Sequence, residues 1–110
     1  MTIEWKDFEK VELRIGTIIK AEVFKEARNP AYILHVDLGE LGIKKSSAQI
    51  TDLYSLESLI GKQVICVTNF EPKQIGPIRS EILVTGFSDT EGHIVLSSVD
   101  MPVPNGHRLI

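Results

Sequence analysis

Between Leu13 and Val23 the chain alternates. Leu13, Ile15, Thr17, Ile19, Ala21 and Val23 fall on one side, and Arg14, Gly16, Ile18, Lys20 and Glu22 on the other. Successive side chains of a strand point to opposite faces, so this period of two predicts a half-buried β-strand. Gly16 inside it marks a bend or bulge, which a strand needs when it curls around a small barrel. A second alternating run, Tyr32 to Leu38, puts Tyr32, Leu34, Val36 and Leu38 on one face and His35 and Asp37 on the other. Gly39 and Gly42 flank a turn, and a short strand from Ile43 to Ala48 follows. Between Gln49 and Gly61 the spacing changes. Leu53, Leu56, Leu59 and Ile60 recur as on a helix, with Thr51 placed as N-cap and Gly61 as C-terminal stop. The continuous apolar run Val64 to Thr68 fits a strand covered on both faces. Glu81 to Thr85 and His93 to Ser97 supply two more strands around the turn-rich Ser88-Asp89-Thr90-Glu91-Gly92. The tail from Asp100 carries Pro102, Pro104 and Asn105-Gly106, which break regular pairing.

Three strands, one helix and two strands is the order of a five-stranded OB barrel, so the expected fold is all-β, with the helix between strands 3 and 4 and short terminal extensions. A length of 110 residues suits one domain, residues 1–110. Hydrophobic residues at 43% and charged residues at 25% place the chain among ordinary folded domains rather than disordered segments. Cys66 is the single cysteine and lies in an apolar run, so a buried inert thiol is expected and an intrachain disulfide is impossible. The opening Met1 to Asp7 is charged and mixed, without the apolar core of a secretory leader. No apolar stretch approaches the ~20 residues that span a bilayer, so a cytoplasmic protein with no membrane insertion is expected.

Chemistry that would need a catalytic constellation finds little support. His35, His93 and His107 are isolated and lack metal-ligand spacing. No nucleophile elbow, Walker loop or dinucleotide fingerprint is present. The expectation is a protein that is not an enzyme and has no catalytic residues, cofactor or metal.

Binding is better supported. The net charge of −3 argues against a bulk electrostatic nucleic-acid binder, yet 12 Lys and Arg residues suffice for a local basic strip. Lys44-Lys45-Ser46 follows a glycine turn, and Lys73 and Arg79 border Pro72 to Ser80. Such stretches combine mobile cations with hydroxyl donors, as phosphate recognition requires. Phe70, Pro72, Ile75 and Ile78 are apolar where a loop should be polar, which suits either a partner surface or a loop folded back on the barrel. Trp5 and Phe8 near one end, and Met101, Val103 and Asn105 near the other, form a candidate subunit interface.

The segment from Asp7 to Ile18 resembles the opening of tRNA-binding domains, which occur free-standing and appended to aminoacyl-tRNA synthetases. Val64 to Pro72, ending in Asn69-Phe70-Glu71-Pro72, resembles their central strand and the loop after it. Within that superfamily three stretches are similar to the CsaA family: Ser46 to Thr51, Ser80 to Gly86, and Pro102-Val103-Pro104-Asn105-Gly106. The likeness runs from Asp7 to Ile110.

It implies an OB barrel and a homodimer. It also implies an export-related chaperone that binds unfolded preproteins and associates with the secretion motor ATPase, with tRNA as an alternative partner. Arg14, Asn69 and Ser80 keep the groove pattern of the tRNA-binding relatives. The chain departs from them with Ser46-Ser47-Ala48 where Ser-Gly-Leu is usual, and with Ser80-Glu81-Ile82-Leu83 where Ser-x-Gly-Met is usual. Glu81 near a phosphate path would repel RNA.

Overall fold

The computed structural model describes residues 1–110. A short helix α1 (Trp5–Glu9) precedes the long strand β1 (Leu13–Val23). Strands β2 (Tyr32–Asp37) and β3 (Ile43–Ala48) follow, then helix α2 (Leu56–Leu59) and strand β4 (Gln63–Val67). The second half holds five short strands: β5 (Lys73–Ile75), β6 (Ile78–Ser80), β7 (Leu83–Val84), β8 (Gly86–Ser88) and β9 (Ile94–Leu96). Five strands form one antiparallel sheet in the order β3-β2-β1-β4-β7, while β5-β6 and β8-β9 are separate hairpins.

The sheet curls until its edges nearly meet. Three hydrogen bonds cross the seam: Glu81 N–H to the Lys45 carbonyl (2.8 Å), Lys45 N–H to Glu81 Oε1 (3.1 Å) and Ser47 N–H to Ser80 Oγ (3.2 Å). Two of the three use a side-chain oxygen where a neighbouring strand would offer a carbonyl. The barrel is therefore closed by specific side chains rather than by a continuous ladder.

β1 can serve both sides of the barrel because it bends. Its first half pairs with β4, from Leu13↔Val67 to Thr17↔Gln63. Its second half pairs with β2, and the register slips between Ile18 and Lys20. No single alternation runs through the strand: Gly16 and Ile18 face the core before the bulge and Ala21 after it. Ile18 is fully buried in the core, whereas Ile19 and Val23, expected inward, are 43% and 54% exposed. Gly16 faces the interior, where an added Cβ would lie 2.5 Å from Val36 Cγ1 and 2.8 Å from Leu38 Cδ2.

The core joins Ile18, Leu34, Val36, Leu38, Ile50, Leu59, Val64, Cys66 and Ile82. The β2 alternation holds as expected, with Leu34, Val36 and Leu38 at 1% exposure or less. A smaller cluster, Phe24, Ala31 and Ile33, lies apart and takes Ile75 and Ile78 of the hairpin against it.

α2 sits between β3 and β4 as expected, but it is short. Its N-cap is Ser55, whose hydroxyl accepts from Ser58 N–H at 3.2 Å, and not Thr51. Of the helically spaced residues only Leu59 is buried, while Leu53 and Ile60 are exposed. The reciprocal Ser55–Ser58 capping box satisfies the first amides locally, so the helix starts later than the apolar period suggests. The stretch Pro72 to Ser80, expected as a loop, is a hairpin turning on Gly76-Pro77, with Gly76 at φ +55°.

Burial pushes the Cys66 thiol up to about 12. The thiolate is the reactive form, so Cys66 is expected to stay silent toward iodoacetamide in the folded protein and to react once urea unfolds it. Labelling of the native protein at the denatured rate would show that the site opens without global unfolding.

Candidate binding site

The β5-β6 hairpin stands beside the barrel seam, and a cavity of about 360 Å³ lies there. Its apolar wall is Phe70, Ile75, Ile82 and Leu83. Glu71, Lys73 and Glu81 bring charge to it, and Ser47 and Ser80 bring hydroxyls. A second hollow of about 290 Å³ shares Phe70, Glu81 and Ile82 with the first and adds Pro72 and Lys44. Phe70, 58% exposed, thus lines both depressions.

Of the apolar residues expected at a partner surface or folded back on the barrel, Phe70 and Ile75 line the cavity and Pro72 the second hollow. Ile78 packs on the Phe24, Ala31 and Ile33 cluster. Ile75 and Ile78 pair across the tight turn, so their side chains share one face; both touch the small cluster, and Ile75 also reaches the cavity. Ile82 and Leu83 complete the wall but read in the sequence as ordinary strand residues. Leu83 at 47% exposure could be suspected only once the strand is known to stop at Val84.

The residues expected to face nucleic acid are divided. Lys44 (β3) pairs with Glu81 at 3.8 Å, Lys73 lines the cavity, and Lys45 and Arg79 are exposed on β3 and β6. Ser80 Oγ is engaged in the seam with Ser47 N–H, and Ser46 is buried, donating to the Ser47 carbonyl at 3.2 Å. Arg14 lies elsewhere, in a hollow with Glu40, Asn105 and His107. Its Nε donates to Glu12 Oε1 at 2.6 Å and its Nη1 to the Gly106 carbonyl at 2.7 Å. Asn69 uses both amide atoms on the segment before β1: Oδ1 accepts from Glu12 N–H (2.9 Å) and Nδ2 donates to the Lys10 carbonyl (2.7 Å). Arg14 and Asn69 therefore tie the start of β1 to the tail and to the loop after β4.

Hydrogen bonds from Arg14 and Thr68 hold the Glu12 carboxyl below its ordinary value of 4.5, against a smaller opposing effect of burial. A carboxyl with a depressed folded value stabilises the fold above its unfolded value, and that contribution disappears as pH falls through the folded value. The expected result is that Glu12→Gln flattens the loss of stability below about pH 4.5, read from urea midpoints across pH. An unchanged acid limb would assign acid sensitivity to other carboxylates.

The chain ends meet at one side of the barrel. Trp5 and Phe8 have ring centroids 6.0 Å apart and border a hollow of about 350 Å³ with Val11, Leu109 and Ile110. The tail is sewn to β1 by main-chain bonds from Gly106 N–H to Ile15 O, Ile15 N–H to His107 O, and Leu109 N–H to Leu13 O. The Gln63 amide grips both the N–H and the carbonyl of Val103, and Asn105 Oδ1 accepts from Thr17 Oγ1 at 2.7 Å. Asn105 is thus engaged within its own chain, whereas Trp5 and Met101 are each 71% exposed.

Residues 13–108 match the family described as "Putative tRNA binding domain". In structure the chain superimposes on the crystal structure of the chaperone CsaA from Bacillus anthracis str. Ames with a TM-score of 0.93, at 47% identity over 100% of both chains. The protein belongs to the CsaA family, within the tRNA-binding domains. The CsaA chaperone of Picrophilus torridus matches with a TM-score of 0.92 at 42% identity, over 99% of this chain and 100% of that one. A methionine–tRNA ligase of Bdellovibrio bacteriovorus is 39% identical over 107 residues, covering 97% of this chain. This CsaA-family chain spans only about 15% of the length of that ligase. No helix in it is long and apolar enough to cross a membrane.

Proposed function

We propose that the protein is a CsaA-type molecular chaperone that holds unfolded preproteins during export, without catalysing a reaction. The observation that carries this reading is the apolar wall of Phe70, Ile75, Ile82 and Leu83 in an open cavity. Hydrophobic side chains exposed in a concave site gain by covering themselves with another chain's apolar groups. Glu71, Lys73 and the two serines at the rim leave polar partners for the main chain of the bound segment. The likeness over full length to two chaperones named CsaA supports the same role.

The 110 residues act as one domain, paired in a cytoplasmic homodimer through Trp5, Phe8, Met101 and Val103, with Asn105 bracing the tail. The exposed aromatic and apolar groups at the joined chain ends support that pairing. Two cavities per dimer raise the effective concentration of each for a long unfolded client. The secretion motor ATPase is the partner to which clients are passed. Sedimentation at micromolar concentration is expected to give a dimer, and Trp5→Ala together with Met101→Ala to give a monomer. A monomeric wild type would remove the two-site argument.

A second reading, tRNA binding, is supported by the family match and by Lys44, Lys45, Lys73 and Arg79 around the seam. It requires an affinity that falls linearly in log K with log salt. The two carboxylates at the cavity, Glu71 and Glu81, oppose it.

A further inference from the structure

The β5-β6 hairpin is a sheet of only two strands. Such a hairpin is marginal by itself and gains from a third strand. Its β6 side leans on the barrel, where Ser80 Oγ meets Ser47 N–H, so β5 carries the outer edge. The pairing is Lys73↔Ser80, Gln74↔Arg79 and Ile75↔Ile78. Ile75 and Ile78 close a two-residue turn and form a hydrogen-bonded pair, and the alternation of an antiparallel ladder then directs the N–H and carbonyl of Gln74 outward. Gln74 is exposed, and its side chain bonds only to the Gly76 carbonyl. Lys73 and Ile75, on the opposite face from Gln74, line the cavity.

We infer that an unfolded polypeptide is bound by strand addition: an extended client segment pairs with the outer edge of β5 through the main chain of Gln74. This rests on the chaperone reading and specifies how the client is held. Every second side chain of the added strand lies on the face of Lys73 and Ile75, the face that borders Phe70, Ile82 and Leu83. Main-chain hydrogen bonds are the same for every sequence, which suits a protein that receives many clients, and the apolar wall then favours segments rich in apolar residues. Charge selects the occupant. Glu71 and Glu81 balance Lys73 and the Lys44 that pairs with Glu81, so the cavity offers a phosphate backbone no net positive charge and accepts an uncharged peptide main chain.

Gln74→Pro tests the edge selectively. Proline removes the outward N–H but none of the bonds between β5 and β6, and proline is tolerated where a strand edge faces solvent. The probe is a short fluorophore-labelled peptide alternating valine and serine with a lysine at each end, measured by anisotropy against the full chain. Gln74→Pro is expected to bind it roughly tenfold more weakly, the loss of one main-chain hydrogen bond, while Gln74→Ala binds within about twofold of wild type. Independently of any variant, the same peptide N-methylated at alternate amides is expected to lose roughly tenfold toward wild type in one of its two registers. If a folded Gln74→Pro and both methylated peptides bind like their parents, strand addition is wrong and the chaperone reading stands. If wild type does not bind the unmodified peptide at all, both fall together.

Discussion

Gly16→Val is expected to leave the chain unfolded at room temperature. Gly16 sits in β1 with its missing side chain directed at the barrel interior, against Val36 and Leu38, which are at most 1% exposed. An added Cβ would lie 2.5 Å from Val36 Cγ1, 2.8 Å from Leu38 Cδ2 and 3.0 Å from the Asp37 carbonyl oxygen. None of these is the loose end of a surface chain, and β2 cannot retreat because β3 is paired along its other edge. Overpacking by single methylenes costs about 1–3 kcal/mol, and a domain of this size holds only about 5–15 kcal/mol. Gly16→Ala is therefore expected to remain folded but to lose about 2–3 kcal/mol in urea unfolding, while valine's two further methyls exceed what the barrel can absorb. A folded Gly16→Val with an unchanged urea midpoint would show that β1 shifts freely at its bend.

Phe70→Ala is expected to spare the fold and remove the function. Phe70 belongs to neither core cluster and is 58% exposed, so its truncation should alter stability by less than about 1 kcal/mol. It lines both depressions and is the largest apolar side chain in either. Aromatic anchors of this kind dominate binding, commonly by 2 kcal/mol or more, so affinity for an unfolded polypeptide should fall by about thirtyfold. Calorimetry against a permanently unfolded client reads this directly. Unaltered affinity in a folded Phe70→Ala would move the client site away from the seam.

Much of the fold was legible because alternation and burial agree wherever a strand is straight. β2 is the clearest instance: Leu34, Val36 and Leu38 read as one face and fill the core. β1 misled because Gly16 and Ile18 face the core ahead of the bulge between Ile18 and Lys20, and the extra residue there leaves Ile19 outside and returns Ala21 to the core. Glycine at 16 announced a bend, but not that an interior position needed the space. The capping box at Ser55 was overlooked because it is made by two serines instead of the commoner acidic partner.

The site was half legible for a similar reason. Phe70 and Ile75 stood out as apolar residues in an apparent loop, and both line the cavity. Glu71, Ile82 and Leu83 did not, since their role depends on how the seam closes, a contact between residues far apart in the chain. Arg14 and Asn69 were expected at a groove from the family resemblance, and their polar atoms hold the chain ends against the barrel. A polar residue in a binding-domain sequence can serve architecture as well as ligand, and only the bonding partners distinguish the two.

The most direct measurement is binding of the purified protein to an unfolded preprotein and to bulk tRNA, side by side across a salt series. The expected result is polypeptide binding that changes little with salt, beside weak tRNA binding that falls steeply as salt rises. Strong, steeply salt-dependent tRNA binding with no detectable polypeptide binding would contradict the chaperone reading and make the seam an RNA site.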